Sequence, residues 1–404
     1  MTLTPLPRSL PADGTSLLIA AVSGRALAAS ARRAGFVPLV ADFFADADTR
    51  QIAHSCYKLD DLKRGFRWKS LAPALEALAE AVPSPLLGVV YGSGFEDGPG
   101  LLAKIAERWP LLGNGPSVVE RVKSPEVFFT ELARLGIPHP RTVMDPAAAG
   151  CGWLAKRQGG AGGSHIVTSH IVTSHGVTSH VAAAGTARRR SVKGRTYFQE
   201  KLEGRPVSAL FAGTGTSAQV LDFSEQWAAP TSRAKWRYGG AARPAELSPD
   251  LEARLTDSVE RVAECFDLKG LGSADFLVNG EEFYLLEINP RPGATLDIFD
   301  SEAEPLLRIH LEGVLDNRLP TALRNLPAAS AAAIVYATEP ITVSQTMIWP
   351  DWTFDRPHLG ERIDKDRPIC TVWARSRTKV EARRLVDQRI ESILAACTGR
   401  EGGT

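Results

Sequence analysis

The spacing of apolar residues changes several times along this chain, and the changes mark its elements. Ser16 to Val22 is a near-continuous apolar run, as a strand buried on both faces requires. A helical pattern follows from Arg25 to Ala34, Gly35 stops it, and Phe36 to Ala41 resumes as a strand closed by Asp42. Strand, helix and strand in so short a span predict a βαβ unit. Leu86 to Tyr91 predicts another strand, running into the turn Gly92-Ser93-Gly94, then a helix from about Gly100 to Trp109 and a short strand around Leu111 to Gly113. Residues 1–115 therefore predict a doubly wound α/β domain. Gly92, Ser93 and Gly94 read equally as a substrate contact or a structural turn.

Beyond it the pattern mixes helices with antiparallel strands. Ser117 to Gly136 predicts a helix, with Ser124-Pro125-Glu126 resembling a helix start and Gly136-Ile137-Pro138 a stop. Trp153 to Lys156, Thr196 to Glu203, Val207 to Ala212 and Gln219 to Asp222 read as strands, and Glu225 to Gly240 as a loop. In that loop Arg233, Arg237 and Tyr238 are substrate-contact candidates, with surface packing as the plainer reading. Leu251 to Phe266 is amphipathic, with Leu251, Leu255, Val259 and Val262 on one face. Leu306 to Val314 and Thr378 to Ala396 read as helices, Ala331 to Tyr336 and Cys370 to Ala374 as strands.

The most informative stretch is Gly272 to Gly293. Asn279-Gly280 between two apolar runs predicts a hairpin. Glu287 and Asn289, two apart, project to one face, and pairing can bring Asp275 beside them. Two carboxylates and an amide oxygen make a hard, oxygen-only set suited to Mg²⁺ on substrate phosphates. Arg291 stays on that face and can hold a phosphoryl or carboxylate oxygen in bidentate fashion. Earlier, Gln158 to Gly163 holds four glycines, Gly159, Gly160, Gly162 and Gly163. Such a loop lets backbone N–H groups approach a polyphosphate, with Lys156 adding charge, or it is a flexible turn between strands.

Composition narrows the class. With 404 residues, two or three packed units are expected, and 44% hydrophobic and 23% charged residues are ordinary for a globular protein. A net charge of +1 supplies no global field for nucleic acid or anionic membrane. Five scattered cysteines without Cys-x-x-Cys spacing fit a reduced, cytoplasmic setting better than a disulfide framework or zinc cage. Neither a membrane-spanning run nor a signal pattern is expected. Ser164 to Val181 repeats a pentapeptide that supplies His165, His170, His175 and His180. A period of five matches neither strand nor helix, so the repeat reads as an expanded, mobile loop tip, not a metal site.

Taken in order, Lys123 before a helix, Lys156 with its glycine loop, Gln199-Glu200-Lys201-Leu202, and Asp275 with Glu287-Ile288-Asn289-Pro290-Arg291 resemble the ATP-grasp superfamily of carboxylate–amine or carboxylate–thiol ligases. The tail Arg367 to Ala374 is similar to the close of the biotin-carboxylase-like branch. The resemblance implies an α/β and α+β architecture in three parts. These are a pre-ATP-grasp domain (1–115), a small nucleotide-binding subdomain (116–204, holding the repeat loop 164–181), and a large subdomain with an α/β tail (205–404). It implies that ATP meets Lys123, Lys156 and the four loop glycines, with Glu200, Lys201 and Leu202 as the adenine hinge. Asp275, Glu287 and Asn289 would hold Mg²⁺ or Mn²⁺, and Arg291 would face the transferred phosphoryl group or the acyl substrate. The usual acidic ribose position falls near Pro206, and Glu203 stands as its substitute. The implied partners are a small carboxylate and an amine, within a possible homodimer. The implied activity joins an amino acid such as glutamate to an amine, through an acyl phosphate, in building a one-carbon carrier cofactor of the methylofuran or tetrahydromethanopterin type. The rival readings are an ATP-binding regulator without turnover and a biotin-carboxylase-like subunit.

Overall fold

A computed structural model describes residues 4–398 except 8, 12, 175–176, 183–194, 321–322 and 324–325; for 169–182 it describes the backbone where it is described at all. The first part alternates β1 (Ser16–Ala20), α1 (Arg25–Arg33), β2 (Val37–Asp42), α2 (Ala47–Ile52), β3 (Ser55–Lys58), α3 (Trp68–Glu80), β4 (Leu86–Tyr91) and α4 (Pro99–Ala106). Its strands form a parallel sheet in the order β3-β2-β1-β4. Leu17, Leu18, Ile19, Leu39, Val40, Val89 and Val90 are fully buried, as expected of strands covered by helices on both faces. The expected strand at Leu111 is a single bridge to Val89. The stretch 43–85, for which no element was predicted, supplies α2, β3 and α3.

The predicted helix over 117–136 is two helices, α5 (Pro116–Lys123) and α6 (Pro125–Arg134), parted at Ser124. Pro125 disfavours the helical conformation at the residue before it, and Ser124 has ψ 111°. The break ends α5 at Lys123, with that side chain buried.

A five-stranded sheet follows, β5 (Thr142–Val143), β6 (Leu154–Arg157), β7 (Val167–Ser174), β8 (Val177–Ala182) and β9 (Thr196–Gln199), ordered β5-β9-β6-β7-β8. The histidine repeat is thus not a loop tip. Within it Val167–Ser174 and Val177–Ala182 pair as β7 and β8, with His170 opposite Val181 and Ile171 opposite His180. Each repeat brings Thr with Val or Ile, residues that favour a pleated strand whatever the period. His175 lies outside the described residues. Among the described residues no group of three or more His, Cys, Asp or Glu side chains is placed to hold a metal.

The largest sheet has eight strands, ordered β14-β13-β10-β11-β12-β15-β19-β17. They are β10 (Arg205–Thr214), β11 (Ala218–Ala228), β12 (Tyr238–Arg243), β13 (Lys269–Asn279), β14 (Glu282–Asn289), β15 (Ala329–Tyr336), β17 (Thr353–Phe354) and β19 (Pro368–Ser376); β16 (Ile341–Thr342) and β18 (Arg362–Ile363) pair apart. Both ends of the predicted 225–240 loop belong to β11 and β12. Helix α7 (Pro249–Cys265) begins at Ser248, whose hydroxyl accepts from the Leu251 amide, and lays Leu251, Leu255, Val259 and Val262 on one face of this sheet. Short helices α8 (Leu296–Phe299) and α9 (Leu306–Leu311) follow the hairpin, and α10 (Lys379–Thr398) packs on β15 and β19. Among the described residues no helix is long and apolar enough to cross a membrane.

Candidate active site

The β13–β14 hairpin turns at Gly280-Glu281, one residue later than Asn279-Gly280, with Gly280 at φ +59°. Asn279 therefore pairs with Glu282, and the register runs back regularly to Phe276 opposite Leu285. A bulge intervenes there: Leu286 is the extra residue, and Asp275 pairs with Glu287 and Ser273 with Asn289. Without it Asp275 would face Leu286, and Glu287 would point to the opposite side of the sheet. The bulge thus gathers the acids. Alternation buries Ala274, Phe276 and Val278 against α7 and leaves Ser273 and Asp275 on the other face.

Neighbouring strands extend this polar row. Ser208 lies opposite Asp275 and Ser224 opposite Ser208. Ser208 Oγ donates to Asp275 Oδ1 (2.7 Å), and Gln226 Nε2 reaches the same oxygen (3.4 Å). Asn289 Nδ2 donates to Asp275 Oδ2 (3.1 Å), which turns its own Oδ1 toward Lys123. Lys123 Nζ donates to that oxygen (2.9 Å) and to Glu287 Oε2 (3.2 Å). One cation already rests on two of the three expected metal ligands, so the donor set suits positive charge.

Lys156 approaches from the five-stranded sheet. It is buried and donates to Gln199 Oε1 (2.5 Å), whose amide in turn reaches Thr142 Oγ1 (3.2 Å). The glycine loop after it is held on both sides. A Cβ on Gly159 would sit 2.5 Å from the Glu96 carbonyl oxygen, and one on Gly163 would overlap the Trp236 carbonyl. Gly159, Gly162 and Gly163 all have positive φ, a conformation that strains other residues. A Cβ on Gly160 would strike the His165 ring, which packs on the loop.

The stretch expected as a hinge links the two sheets between β9 and β10. The Glu200 amide donates to the Arg141 carbonyl, Leu202 is half-buried, and the exposed Lys201 and Glu203 pair with each other at 2.8 Å. Arg291 is buried and paired, its Nε and Nη2 each 2.7 Å from Glu96 Oε1. Glu96 stands just after β4 and also accepts from the Gly94 amide (2.7 Å). Asn114 adds a second clamp, donating to the carbonyls of Lys269 and Pro290 (2.9 Å each), where Tyr91 Oη also meets Pro290. The first domain therefore holds the end of β14 in place. Arg237 lies over the Tyr336 ring at 3.6 Å and donates to the carbonyls of Ala229 and Asp366, which fits packing. Glu96, Ser208 and Gln226 escaped the sequence reading, because no local pattern marks a residue whose role comes from a neighbouring strand or domain.

Electrostatics separates the two acids. Burial and then Glu287 push the Asp275 carboxyl up to about 6. Burial also works to raise Glu287, but Lys123, Lys156 and His165 overcome it and hold this carboxyl at about 2. Burial lowers the Lys156 ammonium, against the pull of Glu287 and Asp275. Glu96 stays low despite burial, because Arg291 and Lys123 favour its charged form. The two acids are thus pushed in opposite directions, Glu287 toward its charged form and Asp275 toward its neutral one.

Residues 127–295 match the ATP-grasp domain family. An uncharacterized protein of Methanocaldococcus jannaschii is 27% identical over 45% of this chain and 43% of its own length. The formate-dependent phosphoribosylglycinamide formyltransferase of Methylococcus capsulatus is 24% identical over 80% of the chain and 81% of its own length. Among solved structures, the biotin carboxylase domain of Hydrogenobacter thermophilus 2-oxoglutarate carboxylase, with MgADP, ADP and bicarbonate, superposes with a TM-score of 0.68 at 12% identity, covering 94% of this chain and 90% of that one. The chain spans less than half the length of the first curated relatives it matches. The fold is the ATP-grasp fold behind an N-terminal parallel α/β domain, as the resemblance implied.

Proposed function

We propose that the chain is an ATP-dependent carboxylate–amine ligase working through an acyl phosphate. The observation that carries this reading is the convergence of Lys123, Asp275, Glu287 and Asn289 on one cleft wall, facing Lys156 and its glycine loop. A carboxylate oxygen of the first substrate attacks the γ-phosphorus of ATP, the bond to the bridging oxygen breaks, and ADP leaves. The amine nitrogen then attacks the acyl carbon, inorganic phosphate departs, and the nitrogen loses a proton to solvent. Such transfer needs positioning and charge neutralisation more than covalent help.

In this scheme Lys156 and the loop amides hold phosphate oxygens, and Glu200 to Leu202 border the base. Asp275, Glu287 and Asn289 hold Mg²⁺ or Mn²⁺, which when bound offsets phosphate charge. With Glu287 engaged by a metal, Lys123 would be free to pair with phosphate oxygens. Arg291, oriented by Glu96, faces the transferred group and favours the charge that develops there. MgADP in the Hydrogenobacter structure supports the nucleotide and metal assignment. The finer reading, glutamate joined to an amine of a methylofuran- or tetrahydromethanopterin-type cofactor, rests on the Glu287 to Arg291 ending and the tail.

The test is incubation with ATP, Mg²⁺ and pools of carboxylates and amines, with bicarbonate as a separate arm. Release of ADP that depends on both a carboxylate and an amine is expected. Bicarbonate-dependent ADP release would instead make the chain a carboxylase subunit. Tight ATP binding with no ADP in any mixture would make it a regulator, and AMP would replace the acyl phosphate by an acyl adenylate.

A further inference from the structure

The two walls of the cleft belong to different sheets. Asp275, Glu287 and Asn289 stand on the eight-stranded sheet, whereas Lys156 and the glycine loop extend from β6 of the five-stranded one. Phosphoryl transfer needs both walls at a fixed separation, and a loop of glycines has little stiffness of its own. The loop is held against the eight-stranded sheet at residues 236–238, where β12 begins. The Tyr238 amide donates to the Gly162 carbonyl (3.1 Å). The Trp236 carbonyl lies so close to Gly163 that a Cβ there would overlap it.

This segment is anchored on two sides. Toward the acids, Tyr238 pairs with Ala228 and Ala241 with Gln226 on β11, and Gln226 is the residue whose amide reaches Asp275 (3.4 Å). Toward the tail, Tyr336 Oη of β15 donates to the Tyr238 carbonyl (2.8 Å). Arg237 lies over the Tyr336 ring, and its Nη1 donates to the Asp366 carbonyl (3.0 Å). Its Nε donates to the Ala229 carbonyl (2.9 Å), while the Ala229 amide returns a bond to the Arg237 carbonyl (2.8 Å). A continuous set of contacts therefore runs from the C-terminal tail through Tyr336, Arg237 and Tyr238 to the loop.

We propose that residues 236–238 are the seat of the glycine loop, and that Arg237 and Tyr336 are positioning residues, acting on phosphoryl transfer only by holding that seat. The effect on turnover rests on the ligase reading; the docking of the loop does not. The plainer alternative is that Arg237 and Tyr336 only pack the tail. Two neighbouring glycines separate these readings. Gly162 and Gly163 have φ +68° and +73°, so alanine strains the backbone alike at both. A Cβ on Gly162 meets nothing within 4 Å, so only Gly163→Ala obstructs the seat.

The two alanine variants of the full chain are compared side by side. The measurements are hydrogen exchange of the Tyr238 amide, affinity for a non-hydrolysable ATP analogue with Mg²⁺, and kcat for ADP release. Relative to Gly162→Ala, Gly163→Ala should exchange the Tyr238 amide about tenfold faster. It should lose about tenfold in kcat while the analogue affinity shifts less than about threefold, because the loss falls on the transition state. Tyr336→Phe keeps the ring beneath Arg237 and removes only the bond to the Tyr238 carbonyl. It should lower kcat about threefold, again with little change in analogue affinity. Equal exchange in the two glycine variants would overturn the seat. Unequal exchange with equal kcat, or an effect of Tyr336→Phe confined to the denaturant midpoint, would overturn the positioning role and leave both side chains as packing. If the unaltered chain releases no ADP in any mixture, the ligase reading falls, and the exchange comparison still decides the seat.

Discussion

Two of the buried charge clusters among the described residues are built in opposite ways. At the junction of the first domain with the C-terminal sheet, Arg25 donates to both Asp297 oxygens at 2.5 Å and to both Asp355 oxygens at 3.1 Å, with its guanidinium 4.6 Å from the Phe354 ring centre. Asp355 also accepts from Thr371 (2.5 Å) and Ser23 (3.1 Å). Every donor has its acceptor, and the Arg25 side chain is only 4% exposed. In the hairpin site the partners are shared and loose: Lys123 divides itself between Glu287 and Asn289, and Glu287 keeps 36% of its side chain exposed. Burying charge does not make a site. What separates the two is whether a ligand can replace a partner without leaving a buried charge alone.

This contrast can be broken by substitution. The largest effect is expected at the junction. Arg25→Ala leaves Asp297 and Asp355 facing each other without a cation and should cost about 3–5 kcal/mol, read from the denaturant midpoint. An unchanged midpoint would mean that the network does not hold the domains. Glu287→Gln should reduce ADP-forming turnover about 10²–10³-fold while the chain still folds by circular dichroism. Activity within threefold of the parent would remove Glu287 from the metal set.

A smaller effect concerns Asp275 and pH. Its carboxyl is raised by burial and Glu287, to about 6. A raised carboxyl contributes stability below the ordinary carboxylate range and loses it as pH climbs to about 6, because the folded protein must then release a proton it prefers to keep. Ligand-free Asp275→Asn should therefore gain stability relative to the parent between about pH 4 and 6, followed by chemical denaturation across that window. A difference independent of pH would contradict the raised carboxyl. The smallest effect tests a loose group at the junction. Asp46 Oδ2 is buried without a partner, and burial together with Asp355, Asp42 and Asp48 pushes its carboxyl up to about 9. Asp46→Asn should flatten the loss of stability as pH rises toward about 9, leaving turnover unaltered; an unchanged slope would count against it.

Local sequence was enough for several things. The apolar runs of β1, β2 and β4, the amphipathic face of α7 and the Gly280 turn are properties of neighbouring residues, and period and turn chemistry report them directly. The order Lys123, Lys156, Asp275, Glu287, Asn289 can be read along the chain, but that Lys123 reaches Glu287 and Asn289, and Asn289 reaches Asp275, is seen only in the fold. Long-range packing settled the rest. One extra residue, Leu286, puts Glu287 on the face of Asp275, and no periodicity announces a bulge that is set by pairing on the next strand. The histidine repeat became a ribbon because β6 offers it an edge to join. Glu96 reaches Arg291 across 195 positions, and Ser208 reaches Asp275 across 67. Chemistry was written in residue types, but which of them touch is decided by folding, since contacts between distant segments depend on register and docking that no short window contains.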